Sequence, residues 1–546
     1  MNQLQKRTIA LFCLLMCCTV ALMGTVYSLT MGGTLKAAAT EQSSYRLNVS
    51  TGRGMIYDCN QKPITKGEER LVAAVMPCVE SANALQKVVK GQEREEVYQT
   101  LTEGKPFLFR LPQKIEPAEG IDVFTIADRY PQTPTLAHIL GYLNGSGEGV
   151  AGIEKAYNDY LSTDCGGISV RYPVDAVGRV LPGEERTVED TSNLQEKGVV
   201  LTINSELQTL AETAARKYLK KGAVVITSLP DNALRAVVSL PDFSAADVSA
   251  SLNGADSPML NRAFSSYNVG SVFKLVVAAA ALEAGISPDE TYECVGQIDV
   301  DGQAFHCFSG KGHGVVDLND AIAYSCNAYF VQLAQKVGEK KVLEMARKMG
   351  FGQEISFAEG MVSASGVLPD ENELSIPRAL ANFSFGQGSL MATPIQINNM
   401  VSTIASGGEY HTPYLVEGLV DEDRHFIEQH EEESGRWVMS PQTAVQLMKY
   451  MKSSVEYGTS KQGKPEHLTA GAKTATAETG LKDGDREIIQ AWYTGFYPAE
   501  NPQYVITILA EDGDGGGKSC GPVFQEITGG LYEILEREQE KTDQEG

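Results

Sequence analysis

The segment from Val269 to Gly285, VGSVFKLVVAAAALEAG, limits the possible folds of this chain more than any other stretch. A run this apolar predicts a helix that is buried on most of its sides. Gly285 and Pro288 predict where that helix ends. Because such a helix needs other elements around it, the segment belongs to the interior of a sizeable domain, and 546 residues are enough for several domains.

Ser271 and Lys274 stand at the start of this helix, with two residues between them. The first turn of a helix favours negative charge, and the lysine follows one turn later on the same face. A buried lysine loses its proton more easily than a solvated one, so the pair offers the hydroxyl, the base and the positive field that a serine nucleophile requires. The alternative is structural: Ser271 caps the helix and Lys274 extends its stem along apolar surface to reach water.

The N-terminal residues predict a membrane anchor. Residues 1–7 include Lys6 and Arg7, and residues 8–29 form an uncharged stretch of about membrane-spanning length. Positive charge before this stretch predicts a short cytoplasmic tail, one crossing of the plasma membrane and an extracytoplasmic location for the rest. A cleaved signal peptide is the alternative. The net charge of −24 argues against nucleic acid or an anionic membrane surface as the main partner.

Turn residues and composition divide the exported part in two. Residues 30–195 mix short strand-like pieces, polar helical runs and many Gly and Pro turns, which predicts a mixed α/β domain with a structural or partner-binding role. Residues 196–535 open with a strand at 199–204, a helix at 206–221 capped by Ser205, and a hairpin of 223–229 and 233–240. This order predicts strands packed beside the buried helix. Residues 536–546 are predicted to be a disordered acidic tail.

A predicted helical stretch at 320–337 contains Ser325 and Asn327. If both face a cleft, the hydroxyl can relay a proton and the amide can bind a substrate amide. Taken alone, a Ser-x-Asn pair is more common in helix caps and on surfaces.

Residues 470–478, AGAKTATAE, alternate small residues with hydroxyls, which suits an edge strand lining a cleft. Lys473 would supply a fixed positive charge for an anionic substrate group. The hydroxyls of Thr474 and Thr476 would be donors to a carboxylate.

The cysteines and histidines predict no metal site. Cys294 and Cys307 bracket a short segment and are the best disulfide candidates if the compartment is oxidising. No CxxC pair and no histidine cluster has the spacing of metal ligands, and no cofactor is expected either. Cys326, in the middle of the Ser-x-Asn pair, is a redox liability beside a reactive site and is assigned no role.

The ordered set of motifs resembles the class B penicillin-binding proteins. Ser271-x-x-Lys274, Ser325-x-Asn327 and Lys473-Thr474-Ala475 follow one another at wide spacing. Further similar segments are Asn261-Arg262-Ala263, Gly386-Gln387-Gly388 with Thr393-Pro394, and Trp492-x-x-Gly495-Phe496. The N-terminal part resembles the pedestal of that class at Arg53-Gly54-Met55-Ile56-Tyr57-Asp58, Arg129-Tyr130-Pro131, His138-Ile139-Leu140-Gly141 and Gly152-Ile153-Glu154.

This resemblance implies an α+β fold with an anchor at 8–29, a pedestal at 30–195 and a transpeptidase domain at 196–535. The last would hold an antiparallel sheet flanked by helices, similar to the serine β-lactamases. The activity implied is a peptidoglycan D,D-transpeptidase, in which Ser271 attacks the carbonyl between two D-alanines of a stem peptide. An acyl-enzyme then passes to an amine of a neighbouring stem, and β-lactams acylate the same serine.

The resemblance also implies a role for each site residue. Lys274 would take the serine proton and Ser325 would return it to the leaving amine. Asn327 would orient the substrate amide, and Lys473 would keep the local field positive. In addition, Thr474 and Thr476 would hold the terminal carboxylate, and the N–H groups of Ser271 and Thr476 would form the oxyanion hole. A glycosyltransferase is the implied protein partner.

One position departs from the family's pattern, because Ala475 stands where glycine is usual. Its methyl group is expected to narrow the cleft beside the strand. The sequence leaves other functions open: a D,D-carboxypeptidase that passes the acyl group to water, a β-lactamase-like hydrolase, or a non-catalytic scaffold of the wall-building machinery.

Overall fold

A computed structural model describes residues 2–31, 43–175, 177–181, 185–252, 254–308, 310–431 and 433–545. Residues 32–42, near the predicted start of the pedestal, lie outside the described residues.

The α-helices are Gln3–Met31 (α1), Val79–Gln86 (α2), Gly91–Thr102 (α3), Ala137–Leu140 (α4), Gly152–Ala156 (α5), Asn158–Ser162 (α6), Ser205–Tyr218 (α7), Lys274–Glu283 (α8), Leu318–Ala323 (α9), Asn327–Val337 (α10), Glu339–Lys348 (α11), Glu371–Leu374 (α12), Pro377–Ser384 (α13), Pro394–Ala405 (α14), Pro441–Glu456 (α15) and Gly521–Glu545 (α16). The strands are Ser44–Thr51 (β1), Met55–Tyr57 (β2), Glu69–Val75 (β3), Phe107–Leu111 (β4), Ile121–Ala127 (β5), Gly167–Pro173 (β6), Thr187–Asp190 (β7), Gly198–Leu201 (β8), Gly222–Ser228 (β9), Leu234–Leu240 (β10), Tyr267–Asn268 (β11), Tyr292–Cys294 (β12), Gln297–Val300 (β13), Gln303–His306 (β14), Gly314–Val316 (β15), Ser356–Ala358 (β16), Met361–Val362 (β17), Met391–Ala392 (β18), Glu409–Tyr410 (β19), Val416–Val420 (β20), Phe426–Gln429 (β21), Arg436–Trp437 (β22), Gly471–Asp483 (β23), Arg486–Tyr497 (β24) and Tyr504–Glu511 (β25).

Helix α1 contains the predicted anchor. Within Gln3–Ser28, the most apolar window of 18 residues has a mean hydropathy of 2.4, and by length and composition this helix is able to cross a membrane. A signal sequence has the same properties, so the helix agrees with both alternatives drawn from the sequence.

The chain divides by its contacts into two compact units that are not consecutive in sequence. One unit contains Met1–Arg53, Glu68–Asp128 and Asp164–Gln195, and the other contains Gly54–Gly67, Arg129–Thr163 and Glu196–Gly546. The predicted pedestal, 30–195, therefore contributes to both units. The chain enters the larger unit for the last time between Gln195 and Glu196.

The smaller unit contains two three-stranded antiparallel sheets, ordered β1-β6-β7 and β4-β3-β5. Helices α2 and α3 supply Leu85 and Val97 to a core that also contains Ala73 and Val75 of the central strand β3. A second apolar core of this unit contains Leu47, Val72 and Val170.

The larger unit is built on a five-stranded antiparallel sheet in the order β10-β9-β25-β24-β23. Successive residues of a strand point to opposite faces, and both faces here are covered. Trp492 packs in the core that contains α8, whereas Tyr493 packs with α7 and α16. The predicted α+β fold, with an antiparallel sheet flanked by helices, is confirmed, as is the hairpin of β9 and β10.

Three local expectations for the larger unit differ from the structure. The cap of α7 is Asn204, one residue before the predicted Ser205, because its side chain accepts from the N–H groups of Glu206 and Leu207. The helix predicted over 320–337 is divided into α9 and α10. Helix α16 continues to Glu545 through the tail predicted to be disordered, since Glu, Lys, Arg and Gln favour helices and Arg537 pairs with Glu206.

The motifs that resemble a pedestal meet at one buried carboxylate in the larger unit. Glu154 is fully buried and accepts from Arg129 Nε at 2.5 Å and from the hydroxyl of Tyr130 at 3.0 Å. Arg129 also donates to the carbonyl of Gly54 at 3.0 Å. A buried carboxylate needs such a partner, so these motifs hold three separate chain segments together.

Candidate active site

Ser271 lies in a short 3₁₀ turn, Gly270–Phe273, that leads directly into α8. It lines a cleft with a volume of about 1090 Å³. In the part of the chain that the structure describes, its hydroxyl makes no hydrogen bond and is free to meet a ligand. The turn leaves the first N–H groups of the helical segment without partners inside it.

The Ser271 turn is fixed by close backbone contacts on two sides. Gly270 has a positive φ of 68°, and its N–H donates to the carbonyl of Gly386 at 2.8 Å. A Cβ at Gly386 would lie 1.9 Å from the Gly270 oxygen, so only glycine fits there. Before the turn, the indole of Trp492 donates to the carbonyl of Asn268 at 2.8 Å. The Gly-Gln-Gly and Trp-x-x-Gly-Phe motifs thus hold the turn in place.

Lys274 is fully buried at the first turn of α8. Its Nζ donates to Asn327 Oδ1 at 2.6 Å, to the Ser325 carbonyl at 2.7 Å and to Ser325 Oγ at 3.1 Å. Burial lowers the pKa of Lys274 to about 7. The structural alternative, in which this lysine reaches water along its stem, is excluded by the burial of the whole side chain.

Ser325 connects the two lysines of the site. It lies between α9 and α10 with a φ of 57°, a left-handed conformation that interrupts the predicted helix. Its Oγ accepts from Lys274 Nζ and from Lys473 Nζ, each at 3.1 Å. Lys473 is fully buried, and burial together with the charge of Lys274 lowers its pKa well below the usual value. Two buried ammonium groups on one hydroxyl repel, which favours a single positive charge shared by the pair.

Strand β23 forms the edge of the sheet and one wall of the cleft, as predicted. Thr474 donates from its hydroxyl to Thr459 at 2.9 Å, and Thr476 also lines the cleft. Ala475 is only 3% exposed. A Cβ placed on Gly270 would lie 3.2 Å from the Ala475 methyl group, so this methyl lies mainly against the Ser271 turn.

The cleft also has walls that sequence reasoning did not identify. Tyr457 and Thr459 follow helix α15, and the N–H of Thr459 donates to the carbonyl of Ala323 at 2.9 Å. Gly515 and Gly516, between β25 and α16, line the cleft beside β23. The run Gly515-Gly516-Gly517 was the available signal in the sequence for this wall. Glycine is needed at 516 because a Cβ there would lie 2.7 Å from the Ala475 carbonyl.

A cluster of three thiols and one imidazole lies beside the cleft, and we refer to Cys294, Cys307, Cys326 and His313 as the thiol cluster. Cys294 Sγ lies 3.7 Å from Cys307 Sγ and 3.4 Å from His313 Nδ1, and Cys307 Sγ lies 3.9 Å from Cys326 Sγ. The disulfide considered between Cys294 and Cys307 is not formed in the structure, since a disulfide requires about 2.05 Å. Sequence reasoning predicted no metal site because the four residues are widely spaced.

The match to known proteins covers the same core and the same motifs. Residues 222–529 match the family described as penicillin binding protein transpeptidase domain, and the chain belongs to this family. The relatives confirm the resemblance to class B penicillin-binding proteins. The chain is 28% identical over 535 residues to stage V sporulation protein D of Bacillus subtilis, covering 92% of this chain and 80% of that protein. It is 30% identical to penicillin-binding protein PbpB of Mycolicibacterium smegmatis, over 74% of this chain and 64% of the relative.

Solved structures share the fold. A chain of a peptidoglycan synthase complex aligns over 97% of this chain and 98% of its own length, with a TM-score of 0.70 and 24% identity. The D,D-transpeptidase domain of a peptidoglycan glycosyltransferase from Eggerthella lenta covers 89% of this chain and 99% of its own, with a TM-score of 0.65 and 23% identity.

Proposed function

We propose that this chain is a peptidoglycan D,D-transpeptidase that cross-links stem peptides through an acyl-enzyme on Ser271. The observation that supports it most is the hydrogen-bonded group of Lys274, Ser325, Asn327 and Lys473 beside a free serine in an open cleft. One relative, 32% identical over 326 residues, is named peptidoglycan D,D-transpeptidase PbpA in Mycolicibacterium smegmatis.

In the acylation step, Ser271 Oγ bonds to the carbonyl carbon between two D-alanines, and the bond to the terminal D-alanine nitrogen breaks. Neutral Lys274 accepts the serine proton, and its lowered pKa makes it a suitable base near neutral pH. Ser325, hydrogen-bonded to both lysines, delivers a proton to the departing amine. An amine of a second stem then attacks the ester, and Ser271 regains its proton.

The edge strand would bind the substrate around this reaction. The N–H groups of Ser271 and Thr476 form the oxyanion hole, a role supported by the packing of Gly270 against Ala475 and Ala477. Lys473 keeps the site positive, and Thr474 and Thr476 donate to the terminal carboxylate. Asn327 orients the substrate amide while it accepts from Lys274.

Helix α1 is proposed to anchor the chain in the plasma membrane, with the cleft on the outer side. The positive residues before the apolar stretch support this orientation. A glycosyltransferase is the proposed protein partner, supported by the similarity to a chain of a complex described as coordinating polymerization and crosslinking.

The full chain in detergent, incubated with a stem pentapeptide ending in D-Ala-D-Ala, tests this proposal. We expect D-alanine release together with a cross-linked product when an amine acceptor is present, and neither product from Ser271→Ala. Release of D-alanine without any cross-link would instead identify a D,D-carboxypeptidase. No release by a folded chain that also fails to react with penicillin would indicate a scaffold.

A further inference from the structure

We propose that a polar group at one end of the five-stranded sheet, formed by Arg262, Tyr267 and Glu511, positions the turn that carries Ser271. We refer to these three residues as the Glu511 group. They lie in a short 3₁₀ turn, on β11 and at the last residue of β25. None of the three is among the described residues that line the cleft, so they act through their neighbours as positioning residues. The catalytic consequence of this positioning rests on the proposed function.

Glu511 accepts two hydrogen bonds from groups that are enclosed in the domain. Its Oε1 accepts from Arg262 Nε at 2.9 Å and from the Tyr267 hydroxyl at 2.7 Å. The Arg262 side chain is 3% exposed, and Tyr267 is 6% exposed. Burial and the adjacent carboxylate raise the pKa of Tyr267, so its hydroxyl stays a donor. The carboxylate thereby fixes the direction in which the tyrosine points.

Arg262 is itself held by other parts of the chain. Its Nη1 donates to the carbonyl of Ser257 at 3.1 Å and its Nη2 to the carbonyl of Asp256 at 2.6 Å. Its backbone N–H donates to Ser239 Oγ at 3.0 Å, and Ser239 lies on β10, at the edge of the sheet far from β23. A guanidinium presents its donors in a rigid fork, so these contacts leave the Glu511 carboxylate one position.

The position of Tyr267, four residues before Ser271, is passed along the chain by β24. The tyrosine ring lies edge-on to Trp492, with ring centroids 6.3 Å apart, and the same indole donates to the carbonyl of Asn268 at 2.8 Å. The N–H of Asn268 donates to Gln490 Oε1 at 2.6 Å. Both backbone groups of this residue are therefore bonded to side chains of β24, and only two residues remain before the serine.

These contacts join the turn to the edge strand β23 through one row of the sheet. Gln490 of β24 lies opposite Glu511 of β25 on one side and opposite Ala477 of β23 on the other. At the β23 end of this row, a Cβ placed on Gly270 would lie 3.2 Å from the Ala477 methyl group. The Glu511 group thus sets how the turn lies against β23.

The proposed oxyanion hole needs this spacing, because its two N–H groups belong to different elements. Ser271 lies in the turn and Thr476 lies on β23, next to Ala477. A displacement of about 1 Å in such a site slows a reaction on the order of 100-fold. A buried ion pair adds little net stability compared with an apolar replacement, so orientation is the effect assigned to the Glu511 group.

Hydrogen exchange of the full chain in detergent tests the positioning without catalysis. Tyr267→Phe removes the hydroxyl from Glu511 and keeps the ring on Trp492. The matched control is Tyr172→Phe, because Tyr172 is fully buried and its hydroxyl has no hydrogen-bond partner among the described residues. We expect the peptide over residues 267–271 to exchange about tenfold faster in Tyr267→Phe alone. Unchanged exchange, or an equal increase in both variants, would overturn the proposal.

Acylation kinetics with a fluorescent penicillin separate positioning from folding. In Tyr267→Phe, the rate constant at saturating penicillin should fall on the order of 10-fold, and the half-saturating concentration should stay the same. The midpoint of the pH dependence near 7 should also stay, because Lys274 is unchanged. A merely structural role would lower only the final amount of acylated chain. An unchanged rate constant, with Tyr172→Phe as the reference, would overturn the positioning role.

A double variant tests the assignment to Glu511. Glu511→Gln should slow acylation at least as much as Tyr267→Phe. The loss in the double variant should be clearly smaller than the product of the two single losses, because both changes act on one contact. Losses that multiply in full would overturn this assignment. If the parent chain never reacts with penicillin, the proposed function fails, while the positioning of the turn stands or falls on hydrogen exchange.

Discussion

The two segments that meet at Lys274 are held in place in different ways. The segment that carries Ser271 and Lys274 runs without a break into α8, and every residue from Val272 to Ala281 is buried in the apolar core. The segment that carries Ser325 and Asn327 is interrupted between α9 and α10 and is held there by hydrogen bonds and by the thiol cluster. Apolar packing fixes the proposed nucleophile, whereas polar contacts fix the proposed proton relay, so the second segment is the one more easily disturbed.

Lys274→Met should have the largest effect, because it removes the proposed base but keeps the apolar stem. We expect penicillin acylation to fall roughly 10³-fold. The free energy of unfolding should stay equal or rise, since a buried ammonium is costly. Stopped-flow acylation and urea unfolding measure the two effects. Normal acylation by this variant would show that Lys274 is not the base.

Asn327→Ala tests the relay side. It removes the acceptor for Lys274 Nζ and the donor to the His306 carbonyl, and acylation should fall roughly 10²-fold. Gln335→Ala, an exposed amide on the same helix, is the matched control and should react normally. Equal rates for the two variants would contradict the assigned role of Asn327.

The pH dependence of acylation reports the base. Because the pKa of Lys274 is lowered to about 7, the lysine is protonated below that pH and cannot accept the serine proton. The acylation rate should therefore rise with pH through a midpoint near 7, falling about tenfold per unit on the acid side. A rate that stays flat from about pH 5 to about pH 8, on both sides of the lowered pKa, would exclude Lys274 as the base.

Two glycines test what supports the turn that carries Ser271. Gly386→Ala places a Cβ 1.9 Å from the Gly270 oxygen, and should lower the free energy of unfolding by about 3 kcal/mol. Gly388→Ala meets only Asn382 Cβ at 3.6 Å, and should cost about 1 kcal/mol for its positive φ. Similar losses from both variants in urea unfolding would mean that the contact with Gly270 contributes nothing.

Ala475→Gly should have the smallest effect. The methyl group is 3% exposed and packs towards Gly270, so its removal should cost up to about 1 kcal/mol of stability and change acylation within about threefold. A large gain in rate with bulky β-lactams alone would show instead that Ala475 narrows the cleft, as the sequence suggested.

Local patterns predicted much of the site. The apolar run predicted the buried helix with Ser271 and Lys274, and the small residues around Lys473 predicted the edge strand. The break at Ser325 could not be predicted, because its left-handed backbone depends on contacts with distant residues such as Lys274. The thiol cluster was missed for the same reason, since its four members come together only when β12, β14, β15 and α10 pack.

The most direct test of a nucleophilic Ser271 is the mass of the chain after reaction with benzylpenicillin. The full chain in detergent should gain one penicilloyl group, peptide mapping should locate it on Ser271, and Ser271→Ala should gain none while its circular dichroism is unchanged. An adduct on any other residue, or no adduct on a folded chain at any reaction time, would contradict the proposed acyl-enzyme.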